Sequence, residues 1–334
     1  MGISVGLGLT NNCNLSCPHC YRPTEDIGNL TVQDIRTVCD SLDVGSTNLG
    51  TGENILNPEF FPIVQYLQDR RIKTSLTSNG YSVSQVPDEM LKRFHDVEFS
   101  FDFGTREGQD AFRGSGAWKM AIDSMERCLT LGVEVTILAC LMRINYDRMG
   151  EIAKLAGSYG VNFRVNVYQP VRTDRFSLTY ENFWDGFRQL FDAAPIVTCT
   201  EPIVNVALGW RRLSGPQCGR SSIRVTPYKK VLPCVYWPTP ALSLKEVPEV
   251  RDRIWETPEF QKTRAIPEVC RSCEWVQNCW GGCASRRILR GDLYRPDEFC
   301  PIVRGEQLTL NHQVTEEKEL LHAANVCTTI VNPS

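Results

Sequence analysis

The sequence lacks any apolar run approaching the roughly 20 residues that a membrane-spanning helix needs, so no membrane partner is expected. A surplus of either charge is missing too: 36 Lys and Arg stand against 39 Asp and Glu, a net charge of -3. That balance gives no support for nucleic acid or an anionic lipid surface as partner. The opening residues, MGISVGLGLTNN, have no basic segment ahead of the apolar one, which speaks against a secretory signal and for a cytoplasmic protein. No low-complexity tract is present, and no internal repeat beyond an alternation of strands and helices. At 42% hydrophobic and 22% charged residues the composition is that of an ordinary soluble globular protein.

Cysteine is what the chain has in abundance, with 15 in 334 residues. Disulfide scaffolds are usually short secreted domains, whereas clustered cysteines in a reducing compartment more often bind metal or carry redox chemistry. Three of them fall between positions 13 and 20 and seven between 218 and 300. The remaining five, Cys39, Cys128, Cys140, Cys199 and Cys327, are scattered, and most read as small buried hydrophobes.

From residue 3 to about 195 short β-rich runs alternate with helical stretches. The strand candidates are 3–10, 47–51, 73–79, 97–102, 134–142 and 162–170, and apolar residues at helical spacing fill the intervals. Six βα repeats argue for an α/β fold with parallel strands and right-handed crossovers, and periodicity alone leaves open whether the sheet is flat or curls into a partial barrel. After Pro195 prolines, glycines and cysteines become dense, as expected of a unit organised by metal rather than by a large apolar core. The expected division is therefore 1–200, 201–310, and a tail over 311–334 that continues a helix begun near 302 and frays at its end.

Cys13, Cys17 and Cys20 lie in the loop directly after the first strand, and such loops gather where α/β active sites form. Three thiolates can hold three irons of a [4Fe–4S] cube and leave the fourth open to a small molecule. A zinc knuckle completed by His19 is the other reading of the spacing. In the second group, Cys270, Cys273, Cys279, Cys283 and Cys300 follow Cys218 and Cys234. Seven cysteines exceed one tetrahedral site, and a zinc ribbon would show paired C-x2-C motifs where only one exists.

The segment CNLSCPHCY resembles the CxxxCxxC signature of the radical S-adenosylmethionine superfamily, and the second group resembles that of the SPASM extension, including CWGGC and the segment between Cys218 and Cys234. The resemblance implies a partial (β/α)6 barrel of radical SAM type followed by a small cysteine-rich SPASM domain. It implies that Cys13, Cys17 and Cys20 hold the cluster that reductively cleaves S-adenosylmethionine to a 5′-deoxyadenosyl radical. By the same resemblance Cys270, Cys273, Cys279 and Cys300 bind an outer auxiliary cluster, and Cys218, Cys234 and Cys283 an inner one, three [4Fe–4S] clusters in all. The inner cluster's fourth ligand is left open, with Cys199 the nearby candidate.

Thr51-Gly52-Glu53-Asn54 stands where relatives carry Gly-Gly-Glu-Pro, with Gly52 and Glu53 kept. Ser78 and Asn79 resemble the family's TNG, and His19 replaces an aromatic residue near the adenine. Ser100, Asp102 and Arg113 resemble residues that reach the ribose or the methionine carboxylate. These eight are the expected S-adenosylmethionine contacts.

Among SPASM relatives the commonest role is modification of a peptide side chain: a cross-link, a thioether or an oxidation. The alternative is dehydrogenation of a free small molecule. The chain starts at the first strand, without the leader-binding domain that many peptide-modifying relatives carry, so a separate leader-binding protein is one expected partner, beside a flavodoxin- or ferredoxin-like electron donor. Cys234 is followed by Val235 and Tyr236 rather than by the aspartate base of sulfatase-maturating relatives, which speaks against alcohol or thiol oxidation on that pattern. Tyr236, near the inner cluster by sequence, is the catalytic candidate, with packing on that cluster as its other reading. Arg164, Tyr168, Arg172, Asp174 and Arg175 lie on or just after the sixth strand, where they read either as a cationic mouth for a carboxylate-bearing substrate or as solvated surface arginines.

Overall fold

The structure, a computed structural model, describes residues 2–211, 216, 218–315 and 327–333. Six parallel strands follow one another in sequence order: β1 (Ile3–Leu7), β2 (Val44–Leu49), β3 (Lys73–Ser78), β4 (Asp96–Ser100), β5 (Val135–Leu141) and β6 (Asn162–Val167). Helices Val32–Ser41, Phe60–Asp69, Ala117–Thr130 and Met149–Ser158 lie in the crossovers, and Tyr180–Ala193 follows β6. The first of these begins at a capping box in which Thr31 and Asp34 satisfy each other's backbone N–H, the local signal that starts a helix there.

Each strand alternates between two kinds of surface. On β4, Val97 and Phe99 are fully buried in the apolar core, while Asp96, Glu98 and Ser100 point to the other face. The polar face is not solvent. All six strands contribute to one cavity of about 450 Å³, through Gly6, Asn48, Thr77, Glu98, Cys140 and Arg164 among others. A flat sheet of six strands would spread these residues over about 24 Å, at about 4.8 Å per strand. The sheet therefore curls round this cavity, with its other, apolar face turned to the helices.

Five more strands extend this sheet: β7 (Ile196–Cys199), β8 (Ser222–Val225), β9 (Lys230–Leu232), β10 (Leu242–Ser243) and β11 (Thr329–Val331). β8 pairs in parallel with β1, and β9 and β10 continue from it antiparallel. At the opposite edge β11 runs antiparallel between β6 and β7. The sheet order is thus β10-β9-β8-β1-β2-β3-β4-β5-β6-β11-β7, an open arc.

Two expectations are corrected. The second strand starts at Val44, three residues before the expected position. The tail is not helical over 305–315, and its last segment is a buried sheet strand rather than a frayed end. Thr329-Ile330-Val331 is a run of β-branched residues, which suits a pleated strand better than a helix. The helical expectation over 316–326 lies outside the described residues. No helix among the described residues is long and apolar enough to cross a membrane.

Candidate active site and metal centres

The loop after β1 is shaped by side chains that stand in for secondary structure. Asn11, fully buried, accepts from the Gly28 N–H at 2.7 Å and donates to the Asp26 and Pro23 carbonyls at 2.6 and 3.0 Å. Arg22 donates to the Asn11 and Leu15 carbonyls at 2.9 and 2.7 Å. These bonds satisfy backbone groups that no ladder reaches. They hold Cys13, Cys17 and Cys20, half-buried and free of disulfides, along the cavity wall.

The loop after β2 packs against the cysteine loop so closely that only glycine fits. Gly52 has φ of +64°, and a Cβ there would meet the Asn12 carbonyl oxygen at 2.3 Å. The Glu53 N–H then donates to that same carbonyl at 2.7 Å. Glu53 is buried, and both its oxygens are engaged: Ser78 Oγ and the Ser82 N–H bond one, and the Asn79 N–H the other. Burial raises its carboxyl above the ordinary value against the pull of these donors. Glu53 thus ties the end of β3 to the cysteine loop. Asn79 completes the tie, with Nδ2 at 2.9 Å from Asn14 Oδ1 and 3.8 Å from Cys13 Sγ.

Asp102 lies behind the cavity wall, fully buried. Arg113 grips it with two nitrogens, Nε at 2.8 Å and an Nη at 2.7 Å, and the Cys140 N–H donates to its other oxygen at 2.9 Å. Burial alone would raise this carboxyl, but Arg113, then His19 and the N–H bond, outweigh it and hold Asp102 below the ordinary value. His19 stacks on Phe112 with centroids 4.9 Å apart, and its Nε2 stands 3.5 Å from Asp102. Burial pushes the His19 imidazole down to about 4, against Asp102. Its Nδ1 is buried without a partner among the described residues. Of the eight expected S-adenosylmethionine contacts, His19, Gly52, Glu53, Ser78, Asn79, Ser100 and Arg113 line the cavity, and Asp102 reaches it only through Arg113 and His19.

The second cysteine group separates into two sets. Cys270, Cys273, Cys279 and Cys300 lie within electrostatic reach of one another. The CWGGC segment turns there through three left-handed residues, Trp280, Gly281 and Gly282, and a Cβ on Gly282 would meet Asp297 at 2.3 Å. Asp297 accepts from the Cys283 N–H at 2.9 Å and from buried Arg286, which also pairs with Glu201 at 2.8 Å. This network fixes Cys283 at the cavity, beside Cys218 and Cys234.

A fourth thiol joins that second set. Cys327 lines the same wall, with its Sγ 3.8 Å from that of Cys218. Cys199 does not: its thiol is buried against Thr329 Oγ1 at 3.1 Å, off the cavity wall. Tyr236 lines the cavity and packs edge-on to Tyr21. Burial raises its phenol well above the ordinary value, so the hydroxyl keeps its proton at neutral pH.

The cationic mouth is not assembled as expected. Arg164 is buried in an ion pair with Glu98 and donates to Thr328 Oγ1 at 3.0 Å. Arg172 turns to the Arg22 carbonyl at 3.1 Å, Arg175 covers Phe176, and Asp174 pairs with Arg290. Only Arg164 and Tyr168 of that set line the cavity. Sequence reasoning missed Asn11 and Arg22, whose signal is merely a polar pair flanking the cysteines, and it missed Cys327.

The residues fit the groups that the cysteine patterns imply. Three thiols on one loop are the right donors for a cluster with an open iron. A buried unpartnered imidazole nitrogen and an Asp-held guanidinium beside them suit a charged, aromatic ligand.

Comparison with known proteins agrees with this geometry. A sequence model of the Radical SAM superfamily matches residues 7–156. The chain is 26% identical over 326 residues to mycofactocin maturase MftC of Mycobacterium ulcerans (strain Agy99), covering 87% of this chain and 86% of that one. It is 27% identical over 326 residues to a PqqA peptide cyclase of Methylobacterium nodulans, covering 88% and 84%. The crystal structure of Streptococcus suis SuiB bound to S-adenosylmethionine shares the fold with a TM-score of 0.68, at 16% identity over 89% of this chain and 77% of that one.

Proposed function

We propose that this chain, which belongs to the Radical SAM superfamily and is a radical SAM enzyme, modifies a peptide side chain by hydrogen abstraction followed by oxidation. When bound, its [4Fe–4S] cluster and S-adenosylmethionine supply a 5′-deoxyadenosyl radical. In this reading Cys13, Cys17 and Cys20 hold the cluster, Gly52 and Asn79 shape the methionine end, Ser100 and Arg113 the ribose and carboxylate end, and His19 the adenine end. Asp102 and Glu53 position those residues rather than touching the ligand. The two sets of second-group cysteines would hold auxiliary clusters, which would supply an electron acceptor for the oxidation.

The observation that carries this reading is a single shared cavity. Cys13, Cys17 and Cys20 and the set of Cys218, Cys234 and Cys283 open on the same space, so a substrate there meets both the hydrogen-abstracting and the oxidising side. The peptide assignment is supported by the two relatives, a maturase and a peptide cyclase, that align along most of the chain. A separate leader-binding protein and a flavodoxin- or ferredoxin-like donor complete the system. A volume of about 450 Å³ also suits a free small molecule, which is the second reading.

The test is incubation of the anaerobically reconstituted enzyme, reductant and S-adenosylmethionine with short precursor peptides encoded beside its gene, followed by mass spectrometry. Loss of hydrogen from a peptide, in step with 5′-deoxyadenosine formed, supports the reading. Unaltered peptides alongside turnover of a small alcohol or acid would replace it with the second.

A further inference from the structure

The segment leading into β11 brings Cys327 beside Cys218, 109 positions away along the chain. Four thiols meet there. Cys218 engages both Cys234 and Cys327, and Cys327 also reaches Cys283. All four border the cavity, and none is in a disulfide.

Cys327 is not there by accident of a loose tail. The next residue, Thr328, is buried and bonded on every side. Its N–H donates to Thr200 Oγ1 at 3.0 Å, its carbonyl accepts the Thr200 N–H at 2.8 Å, and its hydroxyl accepts from Arg164 Nε at 3.0 Å. β11 then runs antiparallel between β6 and β7. The strand register thus sets where the Cys327 sulfur stands. The same register turns Cys199, on β7, to Thr329 and leaves it outside the thiol group.

We infer that Cys327 is the fourth protein ligand of the inner auxiliary iron–sulfur cluster, so that Cys218, Cys234, Cys283 and Cys327 form a closed four-cysteine site. The inference rests on the auxiliary-cluster part of the proposed function and refines it. A cluster with four protein ligands has no open iron, so substrate meets it as an electron acceptor rather than as a ligand. It also ties the C-terminal strand to metal binding, since a ligand held by β11 couples cluster assembly to docking of that strand.

The test uses the full chain carrying Cys13→Ala, Cys17→Ala and Cys20→Ala, which removes the one cluster with an open iron. After anaerobic reconstitution this background should hold about eight irons and no zinc. Brief oxidation should give no [3Fe–4S] EPR signal, because every iron of the two remaining clusters would be held by a cysteine and none would be the readily lost open one. Adding Cys327→Ala should bring up that signal at up to one spin per chain, and Cys327→Ser, kept as a milder variant in case the alanine chain misfolds, should do so more weakly. Adding Cys199→Ala should leave the spectrum silent.

Silence in both Cys327 variants at unchanged iron, or the signal appearing with Cys199→Ala or in the background itself, would overturn the inference alone. Iron near four with one zinc per chain would also overturn it. Iron near zero in the background would instead remove the auxiliary clusters from the proposed function, and this ligand with them.

Discussion

Tyr21 and Tyr236 meet edge to face, with ring centroids 5.4 Å apart and planes at 81°. Tyr21 directly follows Cys20, and Tyr236 lies two residues after Cys234, so this contact joins the two cysteine groups at the cavity wall. Tyr21 is fixed from behind by a 3.0 Å hydrogen bond to Thr51, and burial pushes its phenol up to about 12. Neither hydroxyl is available as a base near neutral pH, and each keeps its O–H for hydrogen bonding.

Tyr236→Phe should therefore leave S-adenosylmethionine cleavage within about twofold of the parent. A role in proton handling would show as product formation falling at least tenfold, about 1.4 kcal/mol, while 5′-deoxyadenosine still forms. Equal loss of both would mean that the ring packs the site and does no chemistry. Counting 5′-deoxyadenosine against product in single-turnover reactions separates these outcomes.

Asp102→Asn should leave the buried Arg113 guanidinium without its anion. Breaking such a pair costs about 3–5 kcal/mol and should weaken S-adenosylmethionine binding through the loss of Arg113 and His19 positioning. The Asp102 carboxyl is held below its ordinary value, so its stabilisation is fully present above about pH 4 and is lost as pH falls through the lower folded value. The difference between parent and variant in urea denaturation should thus be constant at neutral pH and shrink below about pH 4.

Gly52→Ala should disturb the first cluster without touching the second group. The added Cβ meets carbonyl oxygens of Asn12 and Thr10 at 2.3 and 2.6 Å, both in the loop that carries Cys13. Iron analysis should show loss of up to about four irons per chain, with the auxiliary content intact. Full iron and unchanged cleavage would mean that the loop yields at no cost.

Arg164→Met should destabilise the fold by about 3–5 kcal/mol, because Glu98 would remain buried beside Asp96 without its cation. Glu98→Gln combined with Arg164→Met should recover part of the loss, since the uncompensated charge is then gone. Denaturation of the two variants checks both statements.

Much of this arrangement is legible in the sequence because it is local. The order of six βα repeats, the three-cysteine loop after β1 and the CWGGC turn are all written in short windows, and the strand and helix positions follow from apolar spacing. The inward face was harder to read. Arg164 reads in the sequence as part of a cationic mouth and Glu98 carries no signal of its own, and only the curl of the sheet brings the two together as a buried ion pair at the cavity. Cys327 escaped because nothing near it in sequence resembles a metal motif. Its place follows from the pairing of β11 with β6 and β7, a contact over more than 100 residues that no local pattern encodes.

The proposed function stands on Cys13, Cys17 and Cys20 carrying the cluster that cleaves S-adenosylmethionine. The most direct measurement is 5′-deoxyadenosine released when the anaerobically reconstituted, dithionite-reduced chain is given S-adenosylmethionine. 5′-Deoxyadenosine and methionine should form in equal amounts, and Cys13→Ala, Cys17→Ala or Cys20→Ala should abolish both. No 5′-deoxyadenosine from a chain that has taken up iron, or undiminished release from those three variants, would contradict it.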